Sequence, residues 1–306
     1  MRFSKPYKTF AEQIEIFESR GLTFCDKSEA ERFLSYTNYY RFTGYLIPYE
    51  SQRDSVLPGT TFEMVRLLYE FDRQLRSLVM EGISVIEIFT RTKIAVSLAE
   101  RHGPFAHLDP AIFYLQNEFK NWQEHIKKET LRSQETFVRH FKQKYDEWPN
   151  LPIWVVVELM TFGSVSQLFK ILTRKEQKNI ARRFPLSTPV LESWLHVLSY
   201  VRNLCAHHSR FWNREISIAP EILKVPSWHL FDDPLHTPLG APLYRNKPFC
   251  VLTIIRHLLE IVASRTGMDI SWHGRILQLL NAAPAVPHFE RRMGIPTGWR
   301  QSVLWA

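Results

Sequence analysis

Apolar residues recur at three- and four-residue intervals through most of the 306-residue chain, and this spacing limits the fold more than any other feature. The longest run lies between Thr61 and Ala99 and predicts one long helix, or two helices with a bend at Gly82. Its apolar positions are Val65, Leu68, Phe71, Leu75, Leu78, Ile83, Ile86 and Phe89. Alternating β-branched runs are scarce, and the nearest candidate, Ile153–Val157, is interpreted as helix. The pattern therefore predicts an all-α fold.

Further helices are predicted on both sides of this run, with Thr9, Ser28, Ser164 and Thr188 suited to capping their first turns. The predicted segments are 10–21, 28–33, 111–115, 118–145, 153–160, 164–172, 188–208, 250–264 and 272–280. The aromatic stretch 38–45 is predicted as a turn. Six of the eighteen prolines lie between Pro220 and Pro248, which predicts a proline-rich irregular insertion over about 216–248. We expect residues 1–306 to form a single domain.

Composition narrows the class of protein. Hydrophobic residues make up 45% of the chain and aromatic residues 13%, which excludes intrinsic disorder. Three widely separated cysteines do not suit a disulfide framework or a four-cysteine zinc site. No secretory leader opens the sequence, and the most apolar stretch, 249–263, is too short for a membrane span, so we expect a cytoplasmic protein without a membrane partner. The net charge of +8 favours a polyanionic partner, nucleic acid first.

Several classes of catalytic site are excluded by missing motifs. The chain contains no GxGxxG, no P-loop, no HExxH and no GxSxG sequence. Cys205, His207 and His208 are close in sequence, but adjacent histidines on a helix point about 100° apart and rarely share one ion. We therefore predict no metal site and no cofactor.

The helix predicted over about 188–208 carries the most informative residues. One face is apolar, whereas the other holds side chains suited to directed hydrogen bonds rather than the Glu and Lys of an ordinary solvated face. The apolar face consists of Leu191, Trp194, Leu195, Leu198, Val201 and Cys205. The polar face consists of His196, Ser199, Tyr200, Asn203, His207 and Arg210. Arg202 falls within the apolar range, where an unpaired charge is costly, so it must reach a cleft or a partner.

These residues carry a family resemblance. Residues 202–207 have the form RNxxxH, which resembles the signature of HEPN-domain ribonucleases, and the longer string RNLCAHHSRFWNR is similar to the motif of the Abi-like (AbiD/AbiF) abortive-infection family. Other landmarks agree in order along nearly the whole chain. They are Lys5-Pro6, Phe10, Gln13, Asn38–Arg41, Gly44-Tyr45, Phe71–Arg73, Leu75-Arg76, Ile86-Glu87, Arg91–Lys93, Phe162-Gly163, Met293–Pro296 and Trp299.

The resemblance implies a HEPN-type helical bundle with additional helices, and endoribonuclease activity that needs no metal. His207 is suited to the proton transfers of RNA cleavage because imidazole titrates near neutrality. Arg202 is suited to neutralising charge on phosphate oxygens. Asn203 can orient the imidazole or bind phosphate, and Arg210 is a second candidate for backbone contact. His208, beside the motif, either supports the site or satisfies a backbone group.

Arg202 and His207 lie five residues apart, about 140° around an ideal helix, so one helix does not aim both at one atom. HEPN enzymes pair two motifs across an interface, and this chain has one such motif in a helical setting. The resemblance therefore implies a homodimer with a composite site.

Other charged residues have both a functional and an ordinary interpretation. Glu87 and Arg91 have helical i,i+4 spacing and either face the motif helix or form a plain ion pair. The 38–45 aromatics either stack on bases or pack against the core. A basic stretch fits phosphate contact, or is a solvated face. Its residues are Lys170, Arg174, Lys175, Lys178, Arg182 and Arg183.

Three functions remain open from the sequence. The leading hypothesis is a toxin-like, metal-independent endoribonuclease of antiphage defence. The second is a non-catalytic RNA-binding protein of a toxin–antitoxin-like system, held by a structured small RNA. The third, a scaffold that senses phage proteins, predicts no salt-dependent affinity for RNA.

Overall fold

One helix of 41 residues, α4 (Phe62–His102), is the centre of the molecule. The computed structural model describes residues 6–231 and 244–306, and in it α4 runs without interruption for about 60 Å at 1.5 Å per residue. Its start is capped by Thr61, whose hydroxyl accepts the backbone N–H of Met64 at 3.3 Å. It ends before Gly103, which has a positive φ of 80°.

Shorter helices surround α4. Before it lie α1 (Phe10–Ser19), α2 (Lys27–Thr37), α3 (Tyr39–Leu46) and the strands β1 (Glu50–Gln52) and β2 (Ser55–Val56), which pair antiparallel. After it lie α5 (Gln116–Arg132), α6 (Thr136–Lys144), α7 (Ile153–Leu159), α8 (Phe162–Ile171), α9 (Arg174–Ala181), α10 (Thr188–Ala206), α11 (Pro248–Thr266), α12 (Trp272–Asn281) and α13 (Phe289–Met293). Single 3₁₀ turns occupy Ile47–Tyr49, Ala106–Leu108, Pro110–Ile112, Pro226–Phe231 and Trp299–Gln301. The all-α prediction is confirmed.

The apolar stripe of α4 is buried along its whole length, because α3, α7, α9, α10, α11 and α12 all pack against it. α4 is one continuous helix through Gly82, the position proposed for a bend, and Gly82 is a point of close helix approach. A Cβ there would lie 2.6 Å from Ile255 Cγ2 of α11 and 3.1 Å from Trp272 Nε1 of α12. Trp272 Nε1 also donates to the Leu78 carbonyl at 2.7 Å. A side chain at position 82 would therefore push two neighbouring helices away from α4.

Local capping signals place the first helix correctly. Thr9 and Glu12 form a reciprocal capping box, with the Thr9 hydroxyl accepting the Glu12 N–H and the Glu12 carboxylate accepting the Thr9 N–H. The helix ends at Ser19, and Gly21 follows with a φ of 97°. The predicted stop at Gly21 is therefore confirmed.

The prediction of an aromatic turn over 38–45 is wrong, because the segment forms α3. Asn38, at a positive φ of 67°, separates α2 from α3, and its side chain accepts the Tyr40 N–H at 2.9 Å. Phe42 and Tyr45 are buried, whereas Tyr40 is exposed. The asparagine cap allows α3 to begin with only this one residue between it and the end of α2.

Other helix boundaries also differ from the predictions. Residues 118–145 form two helices rather than one, and 111–115 contains only the end of a 3₁₀ turn. Thr161, not Ser164, caps α8, because its hydroxyl accepts the Ser164 N–H at 3.2 Å. At the start of α10 the residue before the helix is Ser187, one position earlier than the predicted cap Thr188.

The segment after the motif helix is tied to the core by an aromatic stack. Trp228, from the 3₁₀ segment Pro226–Phe231, is fully buried, and its ring stacks on Trp194 of α10 at 5.2 Å between centroids. From Ile216 to Val225 the chain has no regular helix or strand. Residues 232–243 of the predicted insertion lie outside the described residues, as does the landmark Lys5. Within the described part of the chain, no helix is both long and apolar enough to span a membrane.

Candidate functional site

The motif helix α10 ends at Ala206, two residues earlier than predicted, in a reversed turn. His208 has a positive φ of 56°, its N–H donates to the Cys205 carbonyl at 3.0 Å, and the Ser209 N–H donates to the Leu204 carbonyl at 3.0 Å. These are the two hydrogen bonds of a Schellman motif with a histidine where glycine is usual. His207 is therefore the last residue before the chain leaves the helix, and angles from an ideal helix do not apply to it.

Arg202 lies beside a carboxylate of α4. Its Nε is 3.8 Å from Glu87 Oε2, and 37% of its side chain is exposed. Glu87 is buried and also forms an ion pair with Arg91, one turn along α4. The guanidinium of Arg91 donates further to the carbonyls of Val157, at 2.9 Å, and Met160, at 2.6 Å, at the C-terminal end of α7. Glu87 thus lies between two arginines and faces the motif helix.

Asn203 and His207 occupy the exposed end of α10. The His207 N–H donates to the Asn203 carbonyl at 3.0 Å, and Asn203 Oδ1 is 3.4 Å from an Arg202 guanidinium nitrogen. Both side chains are exposed. In the described part of the chain the His207 imidazole has no hydrogen-bond partner, so both ring nitrogens are open to a ligand.

A buried carboxylate anchors the chain just after the motif. Asp72 of α4 has no exposed surface and accepts the backbone N–H groups of Phe211, at 3.1 Å, and Trp212, at 2.7 Å. It also accepts the Tyr45 hydroxyl at 2.6 Å and pairs with Arg76. Burial raises the pKa of the Tyr45 phenol, which keeps it a neutral donor. The anchor and the Arg202–Glu87 contact together show that α10 runs antiparallel to α4.

Two arginines connect α3 to the same turn. Arg41 donates to the His208 carbonyl at 2.6 Å, and the guanidinium of Arg210 donates to the Gly44 carbonyl. A Cβ at position 44 would lie 3.2 Å from the Arg210 guanidinium, so glycine leaves room for this contact. The prediction that Arg210 continues the polar face of the helix is wrong, because the helix has already ended and the side chain turns towards α3.

The sequence model of the Abi-like protein family matches residues 32–213, more than half of the chain. The chain belongs to the Abi-like protein family. Membership implies a role in abortive-infection defence. No curated protein and no solved structure matches the chain.

The Abi-like region contains the whole anchor of the motif turn. Landmarks that are far apart in sequence meet there: 38–45 supplies Arg41, Gly44 and Tyr45, and 71–76 supplies Asp72 and Arg76. The sequence identified these positions by resemblance but assigned most of them no role. The local signal for a role at these positions was the presence of charged and aromatic residues in 38–45 and 71–76.

A basic cleft of about 550 Å³ lies beside the end of α10 in this Abi-like chain. Three arginines line it, Arg41, Arg73 and Arg76, together with His208 and the aromatic residues Tyr36 and Tyr69. Cys205 and Ala206 form part of the wall; they lie one turn beyond Arg202 on the same side of the helix. The cleft therefore continues the face of α10 that carries Arg202.

The predicted RNA-binding residues lie elsewhere. Lys170 lies in the last turn of α8, and the other five lie on or just after α9. None of the six lines the cleft beside α10. All are exposed except Arg183, which is half-buried and pairs with Glu100 of α4. Arg174 Nη1 lies 3.8 Å from Glu192 Oε2 of α10.

Nothing in the described residues resembles a metal site: they contain no group of three or more His, Cys, Asp or Glu side chains placed to hold an ion. Cys205 is buried, and burial raises the pKa of its thiol to about 12. A thiol that stays protonated is a poor ligand. His207 and His208 are exposed, whereas Cys205 is buried.

Proposed function

We propose that this Abi-like protein is a metal-independent endoribonuclease of abortive-infection defence, with Arg202 and His207 acting on the phosphodiester. The observation that carries the proposal is the exposed imidazole of His207, which has no hydrogen-bond partner among the described residues. It lies at the end of a helix whose terminal turn is held in place by Asp72, Arg41 and Arg210. A fixed backbone with an open imidazole meets the positional demand of acid–base catalysis.

The chemistry needs no group that the side chains lack. An imidazole takes the proton from a ribose 2′-OH, the oxygen attacks the adjacent phosphorus, and the bond to the departing 5′-oxygen breaks as that oxygen receives a proton. The products are a 2′,3′-cyclic phosphate and a 5′-OH end. Arg202 neutralises charge on the non-bridging oxygens, since the planar fork of a guanidinium matches the geometry of phosphate.

Glu87 acts as a positioning residue in this mechanism. Its carboxylate holds Arg202 on one side and Arg91 on the other, so the guanidinium of Arg202 is directed without being covered. The exposed part of that guanidinium is the part that phosphate would contact.

We further propose that two chains pair so that the Arg202 of one acts with the His207 of the other. An uncharged row on α4 beside Glu87 supports this. Its four members are spaced four residues apart, which places them along one side of the helix, and all are exposed. They are Ser84, Ile88, Thr92 and Val96. Ile88 alone is 65% exposed.

The direct test is cleavage of RNA in EDTA by wild type, His207→Ala and Arg202→Ala. His196→Ala is the matched control, because His196 is an exposed histidine on the same helix. We expect His207→Ala to lower the cleavage rate by about 10²–10⁴-fold, the range for loss of an acid–base group. Equal activity in wild type and His207→Ala removes the catalytic assignment. Binding without products favours the second candidate, a non-catalytic RNA-binding protein.

The composite site has its own test. Mixing the inactive Arg202→Ala and His207→Ala chains allows hetero-dimers in which one site keeps both residues, so activity should return on mixing. Light scattering that shows a monomer with full activity contradicts the dimer.

A further inference from the structure

A second basic groove lies further along the long helix than the basic cleft, where α4, α9 and α11 meet. It has a volume of about 380 Å³. Three separate parts of the chain line it with cations: Lys93 and Arg101 from α4, Arg182 and Arg183 from the end of α9, and Arg265 from the last turn of α11. The groove is therefore a tertiary feature rather than a charge run.

Its positive charge is only partly neutralised. Arg183 pairs with Glu100, the one carboxylate in the lining, and Arg101 Nε lies 3.1 Å from Glu176. Arg182 and Arg265 are exposed and have no ion pair with any described residue. The groove thus offers at least two unneutralised guanidinium groups to an anion.

The chemistry of the lining favours phosphate over a base. Its remaining members, Ser97 and Asn179, are neutral polar residues, and none of its side chains is aromatic. Recognition of a nucleobase ordinarily uses a stacking platform, which this groove lacks. Guanidinium groups in a groove whose described lining holds no aromatic side chain suit contact with a sugar–phosphate backbone of any sequence.

The groove lies within reach of an RNA strand held at the motif. Lys93 follows Glu87, the partner of Arg202, by six residues on the same helix, which is about 9 Å along the helix axis and about 120° around it. On the far side, Arg174, Lys178 and Arg182 follow one another at four-residue spacing along the exposed side of α9. This row of cations extends from Arg182, in the groove lining, along α9 towards its first residue.

We infer that this groove binds the sugar–phosphate backbone of single-stranded RNA, independently of its sequence, a few nucleotides from the motif. The inference rests on the proposed function for the identity of the polymer. It assigns Lys93, Arg101 and Arg265 to RNA binding together with Arg182 and Arg183. Lys170 and Lys175, which do not line the groove, are outside the assignment.

The experiment measures binding of a mixed-sequence single-stranded RNA to the full chain across a range of salt concentrations. A His207→Ala background prevents turnover, and the groove variant adds Arg182→Ala with Arg265→Ala. The matched control removes the same charge elsewhere, through Lys128→Ala with Arg139→Ala, two exposed cations of α5 and α6. Each lost phosphate contact should reduce the slope of log affinity against log salt by about 0.7, so the groove variant should lose about 1.4.

The expected result is weaker binding and a shallower salt dependence in the groove variant only, to the same extent for RNAs of different sequence. Equal slopes in the groove and control variants overturn the inference, and so does a protein that binds no RNA. A parallel cleavage assay with an intact His207 separates the two proposals. Cleavage by wild type with an unchanged KM in the groove variant rejects the groove alone. If the groove variant binds RNA more weakly but neither wild type nor any variant cleaves it, the groove is supported as an RNA-binding site and the nuclease assignment is rejected.

Discussion

The buried carboxylate of Asp72 accepts the backbone N–H of Trp212 at 2.7 Å, although 140 positions separate the two residues. This contact joins the N-terminal third of α4 to the chain just after His207. The neighbouring Phe211 N–H donates to the same carboxylate. The position of the motif turn therefore depends on a helix that lies far earlier in the sequence.

Replacing Asp72 with alanine should destabilise the whole fold. The change leaves Arg76 buried without its partner and removes the acceptor of two backbone N–H groups. Removing one partner of a buried ion pair costs about 3–5 kcal/mol, and we expect a loss of that size in the free energy of unfolding, measured in urea. Asp146→Ala, at an exposed site, should change it by less than about 0.5 kcal/mol. Similar values for the two variants would show that the network is dispensable.

Glu87→Gln should impair RNA cleavage without unfolding the protein. The amide keeps the shape of the side chain but no longer attracts Arg202 or Arg91. If Glu87 positions Arg202 for the transition state, kcat should fall by about 10-fold while KM changes little. Glu81→Gln is the control, because Glu81 lies on the same helix as Glu87 and forms an exposed ion pair with Arg275 of α12. A rise in KM alone would place Glu87 in RNA binding instead.

His107 should make stability sensitive to acid. It is buried against Trp122, and burial lowers the pKa of its imidazole to about 4. In the unfolded chain the pKa is about 6.5, so between about pH 6.5 and about pH 4 only the unfolded state binds the proton. Above this window the neutral His107 imidazole contributes fully to stability. As the pH decreases through the window, the free energy of unfolding should fall by about 3 kcal/mol.

Urea unfolding of His107→Leu across that window provides the measurement, since this variant has no imidazole to titrate at position 107. Its free energy of unfolding should vary less with pH than that of wild type. His125→Leu, at an exposed histidine of α5, should keep the wild-type dependence. Parallel curves for wild type and His107→Leu would assign the acid sensitivity to other groups.

Two glycine-to-alanine changes in helices should have opposite signs. At Gly82 the new methyl group would lie 2.6 Å from Ile255 Cγ2, and overpacking of this kind costs about 1–3 kcal/mol, more than the gain of roughly 0.5–1 kcal/mol in helix propensity. At Gly274 no atom lies within 4 Å of the new methyl group, so alanine should raise the free energy of unfolding by about 0.5 kcal/mol. Thermal or urea unfolding of the pair decides whether close packing or helix propensity governs position 82.

Local features of the sequence predicted most helices correctly, because apolar spacing and capping residues act within one or two turns. The Thr9–Glu12 capping box is such a case. The 38–45 segment was predicted wrongly because aromatic density was taken as a turn signal, whereas Asn38 caps a helix there. Arg210 was placed on the wrong surface because no local rule predicts that α10 ends in a left-handed histidine rather than at a glycine.

The sequence by itself determined the all-α class, the long central helix and the motif that shows the Abi-like resemblance, since each depends on residues close together in the chain. Only the tertiary structure decided which charges meet. It brought Glu87 to Arg202, Asp72 to Trp212, and the cations of three helices into one groove. The physical reason is that one-dimensional spacing does not specify which helices pack together. The buried carboxylates of Asp72 and Glu87 must find their partners across those packed helices, and the groove forms where the surfaces of three helices meet.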